Sequence, residues 1–357
     1  MTSRFLASLL ALPAIVLLPA ASVTAQAPSA KTSASVVPRG PDGKPDLQGF
    51  WDFRSLTPLE RPASLADKPF LAEEEAAVLE RQNAERRARA AAPSDAVAAT
   101  RAPGGGARAV GGYNDFWLDG GVSVVGDRRT SLIVDPPDGR VPALKTGAPH
   151  QVGSLLEDLT IELRPIRVLS TGASAENPED RGLAERCLVG FNAGPPMLPS
   201  GYNNHMQLVQ TSGYVAILNE MNHDVRIIPL DGRPQLPSTL RQWAGVSRGH
   251  WEGDTLVVKT TNFTAKTASF APSVVSAMGT GATLSLTERF RRVDDSTLMY
   301  EFTVEDPVTF TRPFTASVPM RKSDQPVFEY ACHEGNYGLR SILRGARALE
   351  AEEGKGR

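Results

Sequence analysis

From Tyr113 onward, apolar and polar residues alternate with a period of two, which constrains the fold more than any other feature. Short runs rich in β-branched and aromatic residues are separated by turn clusters such as Asp231-Gly232 and Asp294-Asp295-Ser296. Helical stretches do not alternate with these runs, which argues against a parallel α/β fold. The pattern predicts a mostly β domain over residues 113–345, either an antiparallel, barrel-like (calycin- or lipocalin-like) fold or a sandwich.

The first 25 residues have the composition of a removable signal peptide. Arg4 precedes an apolar run over residues 6–20, and Val23-Thr24-Ala25 satisfies the small-x-small rule for cleavage. An uncleaved anchor is the less favoured alternative, because the run is shorter than the roughly 20 residues that a membrane helix needs. We therefore expect a periplasmic or secreted protein that has no membrane span after cleavage.

The segments around the β domain differ from it in composition. Residues 26–44 are rich in Ala, Ser and Pro, which predicts a disordered linker. Residues 45–112 predict a strand around Trp51, one surface helix near residues 70–92 and a low-complexity linker. The last segment, residues 346–357, is predicted to be a disordered tail.

Charge and cysteine content limit the classes of partner. The net charge is −2, and no basic stripe is present, so a nucleic acid is not an expected partner. The two cysteines, Cys187 and Cys332, predict a disulfide in an exported chain. Two free thiols or part of a metal site are the alternatives, although this spacing resembles no zinc motif.

Two predicted hairpins carry most of the candidate site. If Thr211-Ser212-Gly213 is a three-residue loop, Leu208 faces Ala216 and Met206 faces Leu218. The resulting face is apolar in its middle and polar at one end, where the polar residues are Tyr202, Asn204, Glu220 and Asn222.

The second hairpin contains a carboxylate on an otherwise apolar face. Glu288 shares its face with Leu286 and Phe290, and the opposite strand presents Tyr300 and Phe302. Such a carboxylate is a candidate general acid.

The leading functional prediction is the binding of a small, mostly apolar ligand without a cofactor. Binding sites of this kind are mostly apolar and contain a few convergent polar groups. The candidate ligand-binding residues are Tyr202, Asn204, His205, Asn222, Trp251 and His333.

A cofactor-free acid–base enzyme, such as a lyase, isomerase or hydrolase, is the first alternative. His223 would move the proton, Glu220 or Asp224 would orient it, and Glu288 would be the acid. The sequence does not decide whether the protein is an enzyme, since acids and amides also cluster at hairpin ends because they cap backbone groups.

Two other classes are weighed against these. His205, His223 and His333 with Glu220 or Glu334 have the ligand types of a zinc site, but no pair has the short spacing of such sites, so we predict no metal. A cell-envelope interaction module is the remaining alternative.

Several stretches carry a resemblance to known families. Gly49-Phe50-Trp51 resembles the Gly-x-Trp opening of lipocalins. The chain as a whole resembles a widespread family of exported bacterial β-rich hypothetical proteins, in residues 45–51, 129–140, 194–197, 231–233, 251–258 and 330–337. The resemblance implies one continuous domain outside the cytoplasm, and it implies no activity or mechanism.

Overall fold

The computed structural model describes residues 37–91, 119–148, 150–152, 177–178, 186–190, 192–264, 270–273, 276–278 and 282–355. The predicted signal peptide lies outside these ranges, as do residues 159–163, whose alternation of apolar and polar residues also predicts a strand.

Short strands dominate the part of the chain that the structure describes. In chain order they are β1 (Gly49–Asp52), β2 (Ile133–Asp135), β3 (His150–Val152), β4 (His205–Gln210), β5 (Tyr214–Asn219), β6 (Val225–Pro229), β7 (Val246–Glu252), β8 (Thr255–Thr261), β9 (Phe270–Ser273), β10 (Ser276–Met278), β11 (Ser285–Arg292), β12 (Thr297–Glu305) and β13 (Phe314–Ser323). The helices are α1 (Glu73–Ala91) and α2 (Tyr337–Lys355), with short 3-10 turns at Ala63–Leu65 and Met221–His223.

Ten of these strands form one antiparallel sheet. Its order is β6-β5-β4-β1-β13-β12-β11-β8-β7, with β2 paired to β13, while β3, β10 and β9 form a second, small sheet. The prediction of a mostly β, antiparallel protein is confirmed. The large sheet is not closed into a barrel, because β6 and β7 do not pair through hydrogen bonds. These edges nevertheless approach each other, since a Cβ at Gly249 would lie 3.0 Å from Ile228 Cγ2.

Alternation along the strands builds a single large core on the inner side of the sheet. Trp51, Tyr300, Phe290 and Phe302 are among the largest fully buried side chains. Burial of each such side chain stabilises the fold by about 1.5–3 kcal/mol. The Trp51 indole also donates a hydrogen bond to the Leu47 carbonyl at 3.0 Å. The inner side of the described sheet is thus filled by its own side chains.

The pairing predicted for the first hairpin was wrong by one residue. The structure pairs Leu208 with Ile217 and Met206 with Asn219. Gln210 pairs with Val215, so four residues separate the paired positions instead of the predicted three, and the Thr211 amide donates to the Tyr214 carbonyl at 2.8 Å within this loop. Because side chains alternate along a strand, this shift moves Ala216 and Leu218 to the outer face, whereas Leu208 and Met206, with which they were predicted to share a face, point inward.

The two helices differ in how they relate to the sequence. The surface helix predicted near residues 70–92 corresponds to α1, which packs Ala76 against Leu71 and Val124. By contrast, α2 extends through the residues predicted to be a disordered tail, because Ala, Leu, Arg and Glu there are strong helix formers. No helix in the described ranges is long and apolar enough to cross a membrane.

Order also begins earlier than predicted, within the segment assigned to a disordered linker. The Arg39 guanidinium bonds both carboxylate oxygens of Asp254 in the β7–β8 turn, at 2.9 and 2.8 Å. Lys44 lies over the Trp251 ring at 5.8 Å. These contacts fix the segment before β1 onto the sheet.

Candidate functional site

Polar side chains converge where β4 begins and β5 ends. His205 is the first residue of β4, Glu220 follows the last residue of β5, and His223 ends the 3-10 turn before β6. Asn203, Asn222 and His223 have φ of 53°, 59° and 51°. Left-handed backbone at non-glycine residues is costly and tends to cluster at functional sites. This end of the sheet therefore combines the predicted polar residues with unusual backbone geometry.

Glu220 is the central carboxylate of the cluster and is only 6 % exposed. Its Oε1 accepts a hydrogen bond from Asn203 Nδ2 at 2.6 Å, and its Oε2 accepts one from the Phe328 amide at 3.3 Å. His205 Nδ1 lies 3.9 Å from Oε2, so a protonated His205 would form an ion pair with Glu220. Glu220 thus joins the predicted site to the chain segment that follows β13.

The predicted catalytic residues His223 and Asp224 hold backbone segments in place. His223 Nε2 accepts a hydrogen bond from the Tyr330 amide at 3.0 Å, which places the ring proton of the neutral histidine on Nδ1. Asp224 Oδ2 accepts one from the Gly190 amide at 2.8 Å. Both acceptors are engaged with the protein in this structure.

Two tyrosines complete the cluster. Burial raises the pKa of Tyr202 to about 12, and the adjacent Tyr330, which shares a side-chain hydrogen bond with Tyr202, adds to the rise. Tyr202 is consequently a neutral hydrogen-bonding group across the physiological range.

Alkaline stability should report this environment. A tyrosine whose pKa is higher in the folded than in the unfolded chain contributes stability that is present below about pH 10 and is lost as the pH rises towards 12. We expect the unfolding free energy of wild type to fall more steeply above pH 10 than that of Tyr202→Phe, as measured by urea titration at several pH values. Parallel pH curves for the two proteins would contradict the buried environment of Tyr202.

The predicted ligand residue Asn204 belongs to a buried network instead. Its Oδ1 accepts a hydrogen bond from the Ser200 amide at 2.7 Å, and its Nδ2 donates to the Ser200 carbonyl at 2.9 Å. Asn192 Nδ2 donates to Ser200 Oγ at 2.9 Å. Asn222 Nδ2 is buried without a hydrogen-bond acceptor. The side chains of Asn192, Ser200 and Asn204 therefore fix the loop before β4. The Asn222 side chain can still donate a hydrogen bond to a further acceptor.

The predicted disulfide between Cys187 and Cys332 is present. It ties the loop before Gly190 to the segment that passes over Glu220 and His223. His333 follows the disulfide directly, and its side chain is exposed.

Two predicted site residues lie elsewhere. Glu288 is fully buried in the core, where Arg226 donates to both of its oxygens at 2.6 and 2.8 Å and the Tyr300 hydroxyl donates at 2.8 Å. Burial, followed by the Glu288 charge, raises the pKa of Tyr300 well above its usual value. Trp251 packs under Lys44 near the far end of β4, away from His205. The sequence analysis missed Arg226. Arg226 lies two positions before Ile228 on β6, so the alternation of side chains could have placed it on the inner side of the sheet.

An exposed apolar surface adjoins the polar cluster. We define the outer apolar face as Val209, Ala216, Leu218, Val225 and Ile227, which lie on the solvent side of β4, β5 and β6. Val225 and Ile227 are 56 % and 65 % exposed. Cross-strand partners connect the members, because Ala216 lies between Val209 and Ile227. His205 and Glu220 lie on the same side of these strands as Val209 and Leu218. The outer apolar face therefore leads towards the polar cluster.

No family model, curated protein or solved structure matches this chain. The site must therefore be interpreted from its own geometry.

Metal and cleft geometry add two observations. No group of three or more His, Cys, Asp or Glu side chains within the described ranges is placed to hold a metal ion. A cleft of about 370 Å³ lies beside α2. A second cleft, of about 160 Å³, lies beside Arg54 and Arg321, and a third, of about 380 Å³, lies beside Asp42 and Gln210. Their described linings do not include the candidate site residues.

Proposed function

We propose that this protein is an exported binding protein that holds a small, mostly apolar ligand against the outer apolar face. The observation that carries the proposal is the outer apolar face, whose members are exposed on β4 and β6 and half-buried on β5, and which leads to His205 and Glu220. An apolar body would cover Val225 and Ile227, while a polar group of the ligand would meet the histidine and carboxylate.

The energetics support such a ligand. Covering the exposed part of a Val or Ile side chain contributes at most about 1.5–3 kcal/mol, so a ligand needs several such contacts to offset the loss of its translational and rotational freedom. The pair of His205 and Glu220 provides a donor or an acceptor according to the protonation of the imidazole. Tyr202 adds a neutral hydroxyl nearby. The apolar body and polar end group of the expected ligand follow from this arrangement.

Acid–base catalysis has weaker support. His223 Nε2 accepts a hydrogen bond from the Tyr330 amide, and Glu288 is paired with Arg226 inside the core. A proton-transferring group has to reach the substrate. These engaged acceptors favour binding over proton transfer.

Export remains part of the proposal. The Cys187–Cys332 disulfide is typical of an oxidising compartment. It agrees with the apolar N-terminal segment of the sequence and with the proposed membership of an exported bacterial family.

One feature favours a second candidate, an interaction module of the cell envelope. β6 is an edge strand of the large sheet, and the exposed Val225 and Ile227 belong to it. Because β7 lies against this edge, a partner protein would pack on the exposed side chains of Val225 and Ile227 rather than add a strand. Both candidates use the same face, and they differ in the size of the bound molecule.

The binding proposal predicts a charge-sensitive probe site. The fluorescent probe 1-anilinonaphthalene-8-sulfonate has an apolar body and an anionic end group, and we expect wild type to bind it. Ile227→Asp should weaken binding at least about tenfold, because a carboxylate replaces the most exposed aliphatic contact. Fluorescence titration measures the dissociation constant.

The matched control is Val308→Asp, since Val308 is as exposed as Val225 but lies outside the outer apolar face. Unchanged probe binding in Ile227→Asp, or equal losses in both variants, would contradict the proposal. Concentration-dependent dimerisation of wild type that Ile227→Asp abolishes, without a probe site, would favour the interaction module.

A further inference from the structure

α2 is an amphipathic helix whose apolar side chains are not buried in a hydrophobic core. None of its residues whose burial is described is buried, and Leu349 is 63 % exposed. Aliphatic side chains recur at intervals of three and four residues. We call this set the α2 stripe, and its members are Leu339, Ile342, Leu343, Ala346 and Leu349. Such spacing places them on one side of a helix.

A row of arginines borders the α2 stripe. Arg340, Arg344 and Arg347 follow each other at four- and three-residue spacing and line a cleft of about 370 Å³ with Leu339 and Leu343. Arg347 pairs with Glu350 at 2.7 Å, whereas Arg340 and Arg344 have no carboxylate partner among the described residues. The helix thus presents two uncompensated cations beside aliphatic side chains.

The charges are arranged against the intrinsic stability of the helix. Arg340 lies in the first turn, which contains no acidic residue, while Glu350 and Glu352 lie near the C-terminal end. The helix dipole favours the opposite placement. Gly338 and Gly345 each lower helix stability by about 1 kcal/mol. Because most helices in proteins are stabilised by packing of their apolar face, these features point to an external surface that stabilises α2.

We propose that α2 docks in the plane of an anionic lipid surface, with the α2 stripe in the acyl boundary and Arg340 and Arg344 at the headgroups. Helices that lie on membranes have an aliphatic face bordered by long cationic side chains, which reach the headgroups while their stems stay apolar. The lipid phosphate provides the charge complement to the two unpaired arginines. Glu350 lies four residues after Ala346, at the C-terminal end of the same side of the helix, where Arg347 neutralises its charge.

An acidic protein is the other partner that these charges could attract. Energetically dominant residues at protein interfaces are mostly Trp, Tyr and Arg in compact pockets. The α2 stripe contains only Leu, Ile and Ala, and it extends over about 15 Å of helix. A long, narrow aliphatic surface fits a planar boundary better than a compact pocket. This docking does not depend on the proposed ligand site.

Vesicle sedimentation tests the docking with the full chain. We expect binding to vesicles of phosphatidylglycerol and phosphatidylcholine, release by high salt, and much weaker binding to phosphatidylcholine alone. Arg340→Gln with Arg344→Gln should reduce partitioning into the anionic vesicles by roughly thirtyfold. Ile342→Ser with Leu349→Ser should reduce binding as well, because it removes two members of the α2 stripe.

The matched control is Arg81→Gln with Arg89→Gln on α1, which removes the same charge from another exposed helix. Wild type that does not bind anionic vesicles, or equal losses in the two arginine pairs, would overturn the proposal. Binding to poly-L-glutamate but not to vesicles, dependent on Arg340 and Arg344, would also overturn it and identify an acidic protein as the partner. Superimposable unfolding curves of all variants exclude a folding defect as the cause.

Discussion

Glu288→Ala should lower the free energy of unfolding by about 3–5 kcal/mol, because it leaves the Arg226 guanidinium charged and unpaired in the core. The Tyr300 hydroxyl loses an acceptor in the same variant. Arg226 Nε already lacks a hydrogen-bond acceptor, so the site has little spare capacity to compensate. Urea or guanidinium unfolding followed by tryptophan fluorescence measures the change.

A double variant separates the buried charge from the loss of side-chain volume. Arg226→Met with Glu288→Leu removes both charges and should be considerably more stable than Glu288→Ala, because no unpaired ion remains. Glu305→Ala removes an exposed carboxylate that pairs with Lys259 and should cost less than about 1 kcal/mol. Similar losses in Glu288→Ala and Glu305→Ala would show that the Arg226–Glu288 pair is not buried as described.

Cys187→Ala with Cys332→Ala should destabilise the protein by about 3–5 kcal/mol. The disulfide joins residues that are 145 positions apart, so its loss releases a long loop in the unfolded chain. In the folded chain, the segment that bears the Tyr330 amide loses a covalent tether close to its hydrogen bond with His223. Chemical unfolding in the absence of reductant measures the difference.

Reductant provides the control for this variant. Wild type with reductant should match the double variant, and the double variant should not respond to reductant. Ser131→Ala changes a buried hydroxyl far from the disulfide and should retain the response to reductant. Equal unfolding of oxidised and reduced wild type would contradict a stabilising role for the cross-link.

The long hairpin could be predicted from sequence because its pattern is strong. The strands β11 and β12 are eight and nine residues long, and their alternation places Leu286, Phe290 and Phe302 inside as expected. Eight or nine alternating positions leave little freedom of register. The disulfide could also be predicted, because a chain with only two cysteines has one possible pairing.

The other features of the fold and of the candidate site depend on tertiary contacts, which a local sequence pattern does not encode. Arg226 finds its partner 62 positions away, on a strand that is distant in the order of the sheet. The register of the first hairpin is set within the Thr211–Tyr214 loop, where the Thr211 amide donates to the Tyr214 carbonyl. A shift of one residue in this register decides which side chains of β5 face solvent. The outer apolar face could therefore not be predicted from the sequence. The sequence of β7 has a weak strand pattern, because Arg248, Gly249 and His250 interrupt it, and pairing with β8 determines this strand.

The position of β1 has a consequence for the order of folding. β1 lies between β4 and β13, with Trp51 opposite both Met206 and Lys322. A chain that emerges residue by residue from a ribosome or a translocation pore cannot complete this centre until β13 has been released. Contacts of such sequence separation form slowly. The large sheet is therefore assembled only after nearly the whole chain has been released, and a fragment that ends before Phe314 lacks the strand that joins its two halves.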